Sequence, residues 1–139
     1  MAPTGSGKTL AFGLAIMTRL ANRAEARGRG RRHPSALVLV PTRELAAQIE
    51  EVIAPLGAAV GARVASIYGG VGYGPQMNVL RRGVEVLVAC PGRLTDLIER
   101  GAVDLSHVEL VVVDEADRMS DMGFLPTVRR LLSQTSSTR

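Results

Sequence analysis

The first residues of the chain have the types and the spacing that phosphate binding requires. Residues 2–9 read APTGSGKT, with Ala2 at the position where the general phosphate-loop pattern has glycine. Glycines let the backbone curl so that its N–H groups point at phosphate oxygens, and the helix that follows adds its positive dipole end. Lys8 can reach the β- and γ-phosphates, while the Thr9 hydroxyl can bind Mg²⁺. The predicted nucleotide-binding residues are Ala2, Pro3, Thr4, Gly5, Ser6, Gly7, Lys8 and Thr9.

The choice of basic residues across the chain also points to Lys8. Lysine and arginine together number 17, and Lys8 is the only lysine. A chain that uses arginine for every other such charge keeps lysine where a compact ammonium on a flexible stem is needed. We therefore predict that Lys8 has a catalytic role at the phosphates.

An acidic group far along the sequence supplies the complementary chemistry. Asp114, Glu115 and Asp117 follow the apolar run VELVVV, residues 108–113. Such a cluster after a strand is by itself usually a solvated turn. In phosphate-loop enzymes, however, one carboxylate at this place binds Mg²⁺ and its neighbour orients or deprotonates the attacking water. Together with the phosphate loop, the cluster predicts that Asp114 and Thr9 hold the metal and that Glu115 acts on water.

The elements that must position these residues alternate between short apolar runs and helix-like stretches. Runs rich in β-branched residues predict strands at 36–40, 63–68, 84–89 and 108–113. Helix-like stretches occupy 8–24, 43–60, 75–82, 91–100 and 126–132. This alternation predicts an α/β fold, a parallel sheet with flanking helices joined by right-handed crossovers.

Polar or glycine-containing segments follow each predicted strand directly. Because ligands of such sheets bind beyond the carboxyl ends of the strands, we expect these segments to share one edge. They are Pro41-Thr42-Arg43, Gly69-Gly70, Cys90-Pro91-Gly92-Arg93 and Asp114-Glu115. The basic segment 27–32, RGRGRR, instead leads into a strand and belongs at the opposite edge, where we favour a solvated loop over a nucleic-acid contact.

Taken in order, the motifs resemble those of the DEAD-box RNA helicases of superfamily 2. The segments APTGSGKT, PTRELA (41–46), Gly69-Gly70, CPGR (90–93) and DEAD (114–117) are similar to motifs I, Ia, the Ib region and II of that family. The stretches GGVGYGPQ (69–76) and DEADRMSDMGF (114–124) are most similar to the bacterial RhlE type. The resemblance covers essentially the whole chain. It implies that residues 1–139 are part of an N-terminal RecA-like, P-loop ATP-binding domain.

The resemblance also implies what the site does. It implies ATP hydrolysis stimulated by RNA and coupled to local opening of RNA duplexes, with Asp117 coupling the ATP site to a second RecA-like domain. RNA would be contacted through its sugar–phosphate backbone, and hence almost independently of base sequence. The predicted RNA-binding residues are Pro41, Thr42, Arg43, Gly69, Gly70, Pro91, Gly92 and Arg93.

One position departs from the family pattern, because Cys90 stands where threonine is usual. A hydroxyl at a helix start can cap the helix and bond a phosphate, and a thiol does both poorly. A helix start can also acidify a thiol and make it reactive. We favour the interpretation that Cys90 is buried and inert.

Several parts that the family has would lie outside this sequence. The adenine-reading Q motif and a strand would precede Met1, and the SAT motif with its strand would follow Arg139. A second RecA-like domain would supply an arginine finger and the other half of the RNA clamp. We therefore expect an incomplete sheet, and an isolated chain that binds ATP weakly at best and hydrolyses almost none. The alternative is an inactive fragment that acts as a weak nucleotide- or RNA-binding piece.

Composition and the absence of certain motifs narrow the classes of protein to which this sequence could belong. One cysteine excludes an internal disulfide and fits a reducing, cytoplasmic setting. No apolar run approaches the roughly 20 residues of a membrane span. A GTPase is disfavoured because the chain has no NKxD segment, and a DNA helicase of the same superfamily is disfavoured by PTRELA together with DEAD. With 3% aromatic residues and no tryptophan, base-stacking platforms are not expected.

Overall fold

The structure, a computed structural model, describes residues 4–27 and 33–136, with the side chains of residues 7–22 and 33–136. Its elements are α1 (Thr4–Arg27), β1 (Ala36–Leu39), α2 (Arg43–Ala59), β2 (Val64–Ile67), α3 (Tyr73–Arg82), β3 (Val86–Ala89), α4 (Pro91–Glu99), β4 (Leu110–Val113), α5 (Ala116–Asp121) and α6 (Leu125–Leu132). Ala2, Pro3 and residues 28–32 of the basic segment lie outside the described residues. Within those residues, no helix is long and apolar enough to cross a membrane.

The sheet in the described part of the chain has four parallel strands in the order β2-β3-β1-β4. Leu39 at the end of β1 is the partner of Ala89 in β3 and of Val113 in β4. Ala89 is in turn the partner of Ile67 at the end of β2. All four strands therefore end at one edge, and the predicted α/β fold with a parallel sheet is confirmed.

The continuous apolar runs are explained by helices on both faces of the sheet. Alternate residues of β1 pack into two different clusters, with Leu37 on one face and Val38 on the other. Helices α1 and α2 cover the face of Val38, and α3, α4 and α6 cover the face of Leu37. Because β1 and β3 lie between other strands and between two helical layers, their residues are all buried, whereas β4 is only half-buried.

Helix α1 begins at Thr4, four residues before the start predicted at Lys8. Each helical glycine costs only about 1 kcal/mol relative to alanine. The buried stripe of Ile16, Met17 and Leu20 that fixes the helix against the sheet outweighs that cost. Two other helix predictions differ from the structure by more than one residue. Helix α3 begins at Tyr73 instead of Pro75, and α5 was not predicted at all because six residues are too few to show a helical period.

Helices α1 and α2 approach most closely at Gly13. A Cβ atom at Gly13 would lie 2.7 Å from Cγ2 of Ile53 and 3.2 Å from Cδ1 of Leu56. Ile53 is itself fully buried and has no space into which to retreat. The missing side chain therefore sets how closely α1 packs, and with it the position of Lys8 in the same helix.

We expect the substitution Gly13→Ala to lower the free energy of unfolding by on the order of 1 kcal/mol. Overpacking typically costs about 1–3 kcal/mol, which exceeds the gain of up to about 1 kcal/mol from replacing a helical glycine by alanine. Gly74→Ala in α3 is the matched control, because no atom lies within 4 Å of its added Cβ. Urea unfolding measures both. Equal stabilisation by the two substitutions would contradict the close packing.

Candidate nucleotide and RNA site

Backbone hydrogen bonds continue the sheet beyond the strand ends and bring the predicted segments side by side. The N–H of Cys90 donates to the carbonyl of Ile67 at 2.9 Å, and the N–H of Asp114 donates to the carbonyl of Leu39 at 2.9 Å. Cys90 therefore lies beside the end of β2, and Asp114 lies beside the end of β1. The four segments that follow the strands share one edge, as predicted.

The two halves of the predicted phosphate site meet in an ion pair at this edge. Nζ of Lys8 lies 2.6 Å from Oδ1 of Asp114, whose side chain is only 8% exposed. The hydrogen bond with Asp114 and its charge, with a smaller effect from the charge of Glu115, raise the pKa of Lys8 above its usual value. The ammonium therefore remains charged at neutral pH.

The oxygen donors at the ion pair fit a magnesium–nucleotide complex. Asp114 offers a carboxylate and the buried Thr9 a hydroxyl, which are the ligand types that Mg²⁺ takes. The Lys8 side chain is 60% exposed, so it can turn toward a phosphate and leave the Asp114 oxygen to a cation. The residues from Thr4 to Gly7 form the first turn of α1 and not the curled loop that we predicted. A helix start still binds phosphate, because its first four N–H groups lack intrahelical acceptors.

Glu115 makes a sharp turn between β4 and α5. Its backbone is left-handed, with φ 53° and ψ 51°, a conformation that costs a residue with a side chain roughly 1–2 kcal/mol. Its carboxylate lies 3.3 Å from Nη1 of Arg118 and remains largely accessible. Strain of this kind is concentrated at functional sites. Asp117, two residues further, is exposed on α5.

The segments after β1 and β2 form one continuous surface. The hydroxyl of Thr42 accepts a hydrogen bond from the N–H of Leu45 at 3.2 Å and so caps α2. The guanidinium of Arg43, the next residue, lies 5.4 Å from the centre of the Tyr68 ring. Gly70 has a φ of 83°, and a Cβ there would lie 2.9 Å from Nη1 of Arg43. Glycine is therefore favoured at residue 70 by its conformation, and a side chain there would displace the end of the Arg43 side chain.

Arg93, in the first turn of α4, is restrained by neighbours on α3. Its Nη1 donates to Oε1 of Gln76 at 3.1 Å, and Nε2 of Gln76 donates to the carbonyl of Tyr68 at 3.0 Å. The guanidinium lies 3.9 Å from the centre of the Tyr73 ring. Gln76 is buried and thus ties Arg93 to the end of β2.

The Tyr73 ring is shared by two arginines. Arg100, at the far end of α4, also lies 3.9 Å from its centre, and the Tyr73 hydroxyl donates to Asp96 at 2.8 Å. Both tyrosines of the chain thus support arginines of the predicted RNA surface. Sequence reasoning missed Gln76 and both tyrosines. The only available signal was that Gln76 ends the motif-like stretch 69–76.

Two predicted RNA-binding residues need a different account. Pro41 and Pro91 are buried, so they set the direction of the chain after β1 and β3 and present no surface to RNA. Pro91 is also the first residue of α4, where proline lacks only an N–H that would have no intrahelical partner. Cys90 caps α4 without a side-chain hydrogen bond, as expected for a thiol. Gly69, Gly70 and Gly92 are exposed and permit close backbone approach.

The fold and the site define a class of protein: a parallel α/β domain in which the segments predicted to bind phosphate and RNA meet at the carboxyl edge of the sheet. Comparison with known families gives a more specific answer, because the family model described as DEAD/DEAH box helicase matches residues 1–139. The chain belongs to this family, as its ordered motifs predicted.

Over the matched segments, curated relatives are about half identical to this chain. The DEAD-box ATP-dependent RNA helicase 5 of Oryza sativa subsp. japonica is 48% identical over 139 residues, which cover 100% of this chain and 27% of that protein. The ATP-dependent RNA helicase RhlB of Xanthomonas oryzae pv. oryzae is 49% identical over 132 residues, or 94% of this chain and 23% of that protein. The chain therefore spans about a quarter of the length of these relatives. The closer similarity to the RhlE type stays a prediction.

Solved structures give the same fold. A hypothetical ATP-dependent RNA helicase from Sulfolobus tokodaii has a TM-score of 0.80 and 40% identity, covering 98% of this chain and 37% of that one. The yeast DEAD-box splicing factor Prp28 has a TM-score of 0.81 and 36% identity, covering 96% of this chain and 31% of that one. The predicted RecA-like fold class is confirmed.

The environment of Cys90 predicts slow thiol chemistry. Burial, with a further effect from the charge of Glu44, raises the pKa of Cys90 to about 11 from 9.0. Because the thiolate is the reactive form, alkylation by iodoacetamide at pH 8 should be about 100-fold slower in the folded chain than in the chain unfolded in urea. The rate in the folded chain should rise until the pH passes about 11. Cys90 is half-buried, so the prediction of full burial is wrong. Equal rates in both states would refute the interpretation that the thiol is inert.

Proposed function

We propose that this chain is part of the N-terminal RecA-like domain of an ATP-dependent RNA helicase, in which RNA stimulates ATP hydrolysis and short duplexes open locally. The observation that carries the proposal is the Lys8–Asp114 ion pair, 2.6 Å long, on the sheet edge that also bears Arg43 and Arg93. The relatives from rice and Xanthomonas are named ATP-dependent RNA helicases, which supports the same activity for the protein that contains this chain.

On the nucleotide side, Lys8 would exchange Asp114 for the β- and γ-phosphates of ATP. Mg²⁺, held by Asp114 and Thr9, would neutralise phosphate charge when bound. Glu115 would orient the attacking water or take its proton, and its accessible carboxylate beside the ion pair supports that role. Because Lys8 and Asp114 neutralise each other in this structure, the site avoids isolated charge before the nucleotide arrives.

On the RNA side, Arg43 and Arg93 would meet phosphates of a single strand. Each guanidinium already lies over a tyrosine ring, and Arg93 is further held by Gln76. Restraint before binding reduces the side-chain entropy that is lost on binding. Contacts to phosphate and sugar carry no direct sequence information, so binding would be nearly independent of base sequence.

The proposal extends to the rest of the protein. Asp117 is exposed on α5 two residues beyond Glu115, a position from which it could couple the ATP site to a second RecA-like domain. Such a domain would close on both ligands from the side of this edge. The single cysteine, which leaves no internal disulfide to form, supports a cytoplasmic setting for the same protein.

The substitution Lys8→Ala in the protein that contains this chain should lower RNA-stimulated ATP turnover by on the order of 10²–10³-fold, because a charge that stabilises the transferring phosphate is lost. Arg19→Ala, at an exposed position on the same helix, is the charge-matched control and should retain turnover. Phosphate release would be measured with RNA and with DNA. Full turnover in Lys8→Ala would refute the catalytic role of Lys8. Greater stimulation of the unaltered protein by DNA than by RNA would favour a DNA helicase. No turnover in the unaltered protein would favour a passive RNA-binding piece.

The substitution Arg93→Ala should weaken RNA binding and reduce the salt dependence of the affinity by about one phosphate contact. Arg100→Ala is the matched control, since Arg100 stacks on the same ring at the same distance but lies at the other end of α4. Fluorescence anisotropy of labelled single-stranded RNA at several salt concentrations measures both. Equal losses in the two variants would mean that packing around Tyr73, and not a phosphate contact, is responsible.

A further inference from the structure

The two histidines of the chain meet at the edge of the sheet opposite the nucleotide site. His33 lies three residues before the first residue of β1, and His107 three residues before that of β4. The first residues of the two strands, Ala36 and Leu110, are register partners. The pairing continues outward, because the N–H of Glu109 donates to the carbonyl of Ser35 at 2.9 Å. The sheet register therefore brings together two residues that are distant in sequence.

The two imidazole rings are stacked, and the carboxylate of Asp104 lies close to both of them. Their centroids lie 4.4 Å apart with an angle of 7° between the planes. One possible ligand atom from each of His33, Asp104 and His107 lies within 4.8 Å of the others. Asp104 and His107 belong to the loop between α4 and β4, so two separate connections of the fold contribute.

A neighbouring serine orients two of the three groups. The N–H of Ser106 donates to Oδ1 of Asp104 at 2.9 Å, and the Ser106 hydroxyl lies 3.4 Å from Nδ1 of His107. The Ser106 contact at Nδ1 directs Nε2 of His107 away from the serine. Metal-binding histidines commonly have their second nitrogen engaged in this way.

We propose that His33, Asp104 and His107 bind a divalent transition-metal ion of the zinc class, separately from the nucleotide site. Imidazole with carboxylate suits Zn²⁺ and its chemical neighbours, whereas Mg²⁺ prefers oxygen donors. Bonds of about 2.0–2.2 Å to one ion require the ligand atoms to move closer by roughly 1 Å. One imidazole must also rotate out of the stack, because the nitrogen lone pairs of two parallel rings do not converge on one ion. Exposed side chains such as Asp104 and His107 can make that adjustment. Water would complete a tetrahedral shell.

The surroundings favour an ion held by direct ligand bonds. A cavity of about 350 Å³ opens beside His33 and Asp104 and gives access to the site. Arg81 and Arg100 line the same cavity, in which Asp104 is the only acidic residue among the described lining residues. This balance of charge disfavours cations that bind by charge alone, such as Mg²⁺. A bound ion would clamp the segment before β1 to the loop before β4.

Zinc titration of the chain, prepared without a histidine tag, tests the proposal. Calorimetry should give one Zn²⁺ per chain, and millimolar Mg²⁺ should not displace it. His33→Ala, His107→Ala and Asp104→Asn should each weaken zinc binding by at least about 10-fold, since losing a direct ligand costs no less than losing its support. Glu51→Gln, an exposed carboxylate on α2, is the matched control and should bind zinc normally.

A second readout separates a three-residue site from a single surface histidine. In ¹⁵N NMR spectra of the imidazoles, both histidines should shift together as one equivalent of Zn²⁺ is added. Circular dichroism shows whether each variant is folded. Where a histidine variant does not fold, the zinc affinity of Asp104→Asn, a substitution at an exposed position, tests the site instead. The proposal is overturned by unsaturable binding, by unchanged affinity in a folded ligand variant, or by a shift confined to one histidine.

Discussion

The register of β1 with β3 and β4 is the constraint on which the rest of the structure depends. Leu39 is paired with Ala89 on one side and with Val113 on the other, so the chain leaves three strands at the same level. In a sheet, a slip of one residue would exchange the two faces of a strand. Leu37 and Val38 differ in shape and fit different clusters, which opposes such a slip. A slip of β4 by one residue would also draw Asp114, the acidic residue that directly follows this strand, toward the apolar core.

The same register accounts for what is found at both edges of the sheet. At the carboxyl edge it places Asp114 beside the end of β1, within reach of Lys8 on α1. At the opposite edge it stacks His33 on His107. Neither pair is close in sequence, and neither needs a long loop to meet. The polar residues of both pairs lie where strands begin or end, because β1 and β3 between them are buried under helices on both faces.

Two kinds of feature could be predicted from the sequence: the strands and helices, which have a repeating apolar pattern, and the polar segments that directly follow a strand. Apolar runs located the strands to within about two residues, and the rule that ligands bind at the carboxyl edge placed Asp114 and Arg93 correctly. The contacts of Gln76 and Tyr73 could not be predicted, because they depend on how α3 packs on α4. The histidine pair depends on β1 and β4 being neighbours in the sheet, and two apolar runs do not show which strands are neighbours. The early start of α1 reflects tertiary packing that outweighs the local preference of glycine.

The strand order separates the predicted nucleotide site from the predicted RNA surface. The nucleotide site rests on α1 and the end of β4, whereas the tyrosines under Arg43 and Arg93 lie after β2 and in α3. Strands β4 and β2 are at opposite ends of the order β2-β3-β1-β4, about 14 Å apart across the sheet. Coupling is carried by elements with contiguous contacts, and the segments that bridge this gap follow β1 and β3. Thr42 and Cys90, the first residues before the helices there, therefore lie between the predicted nucleotide site and the predicted RNA surface.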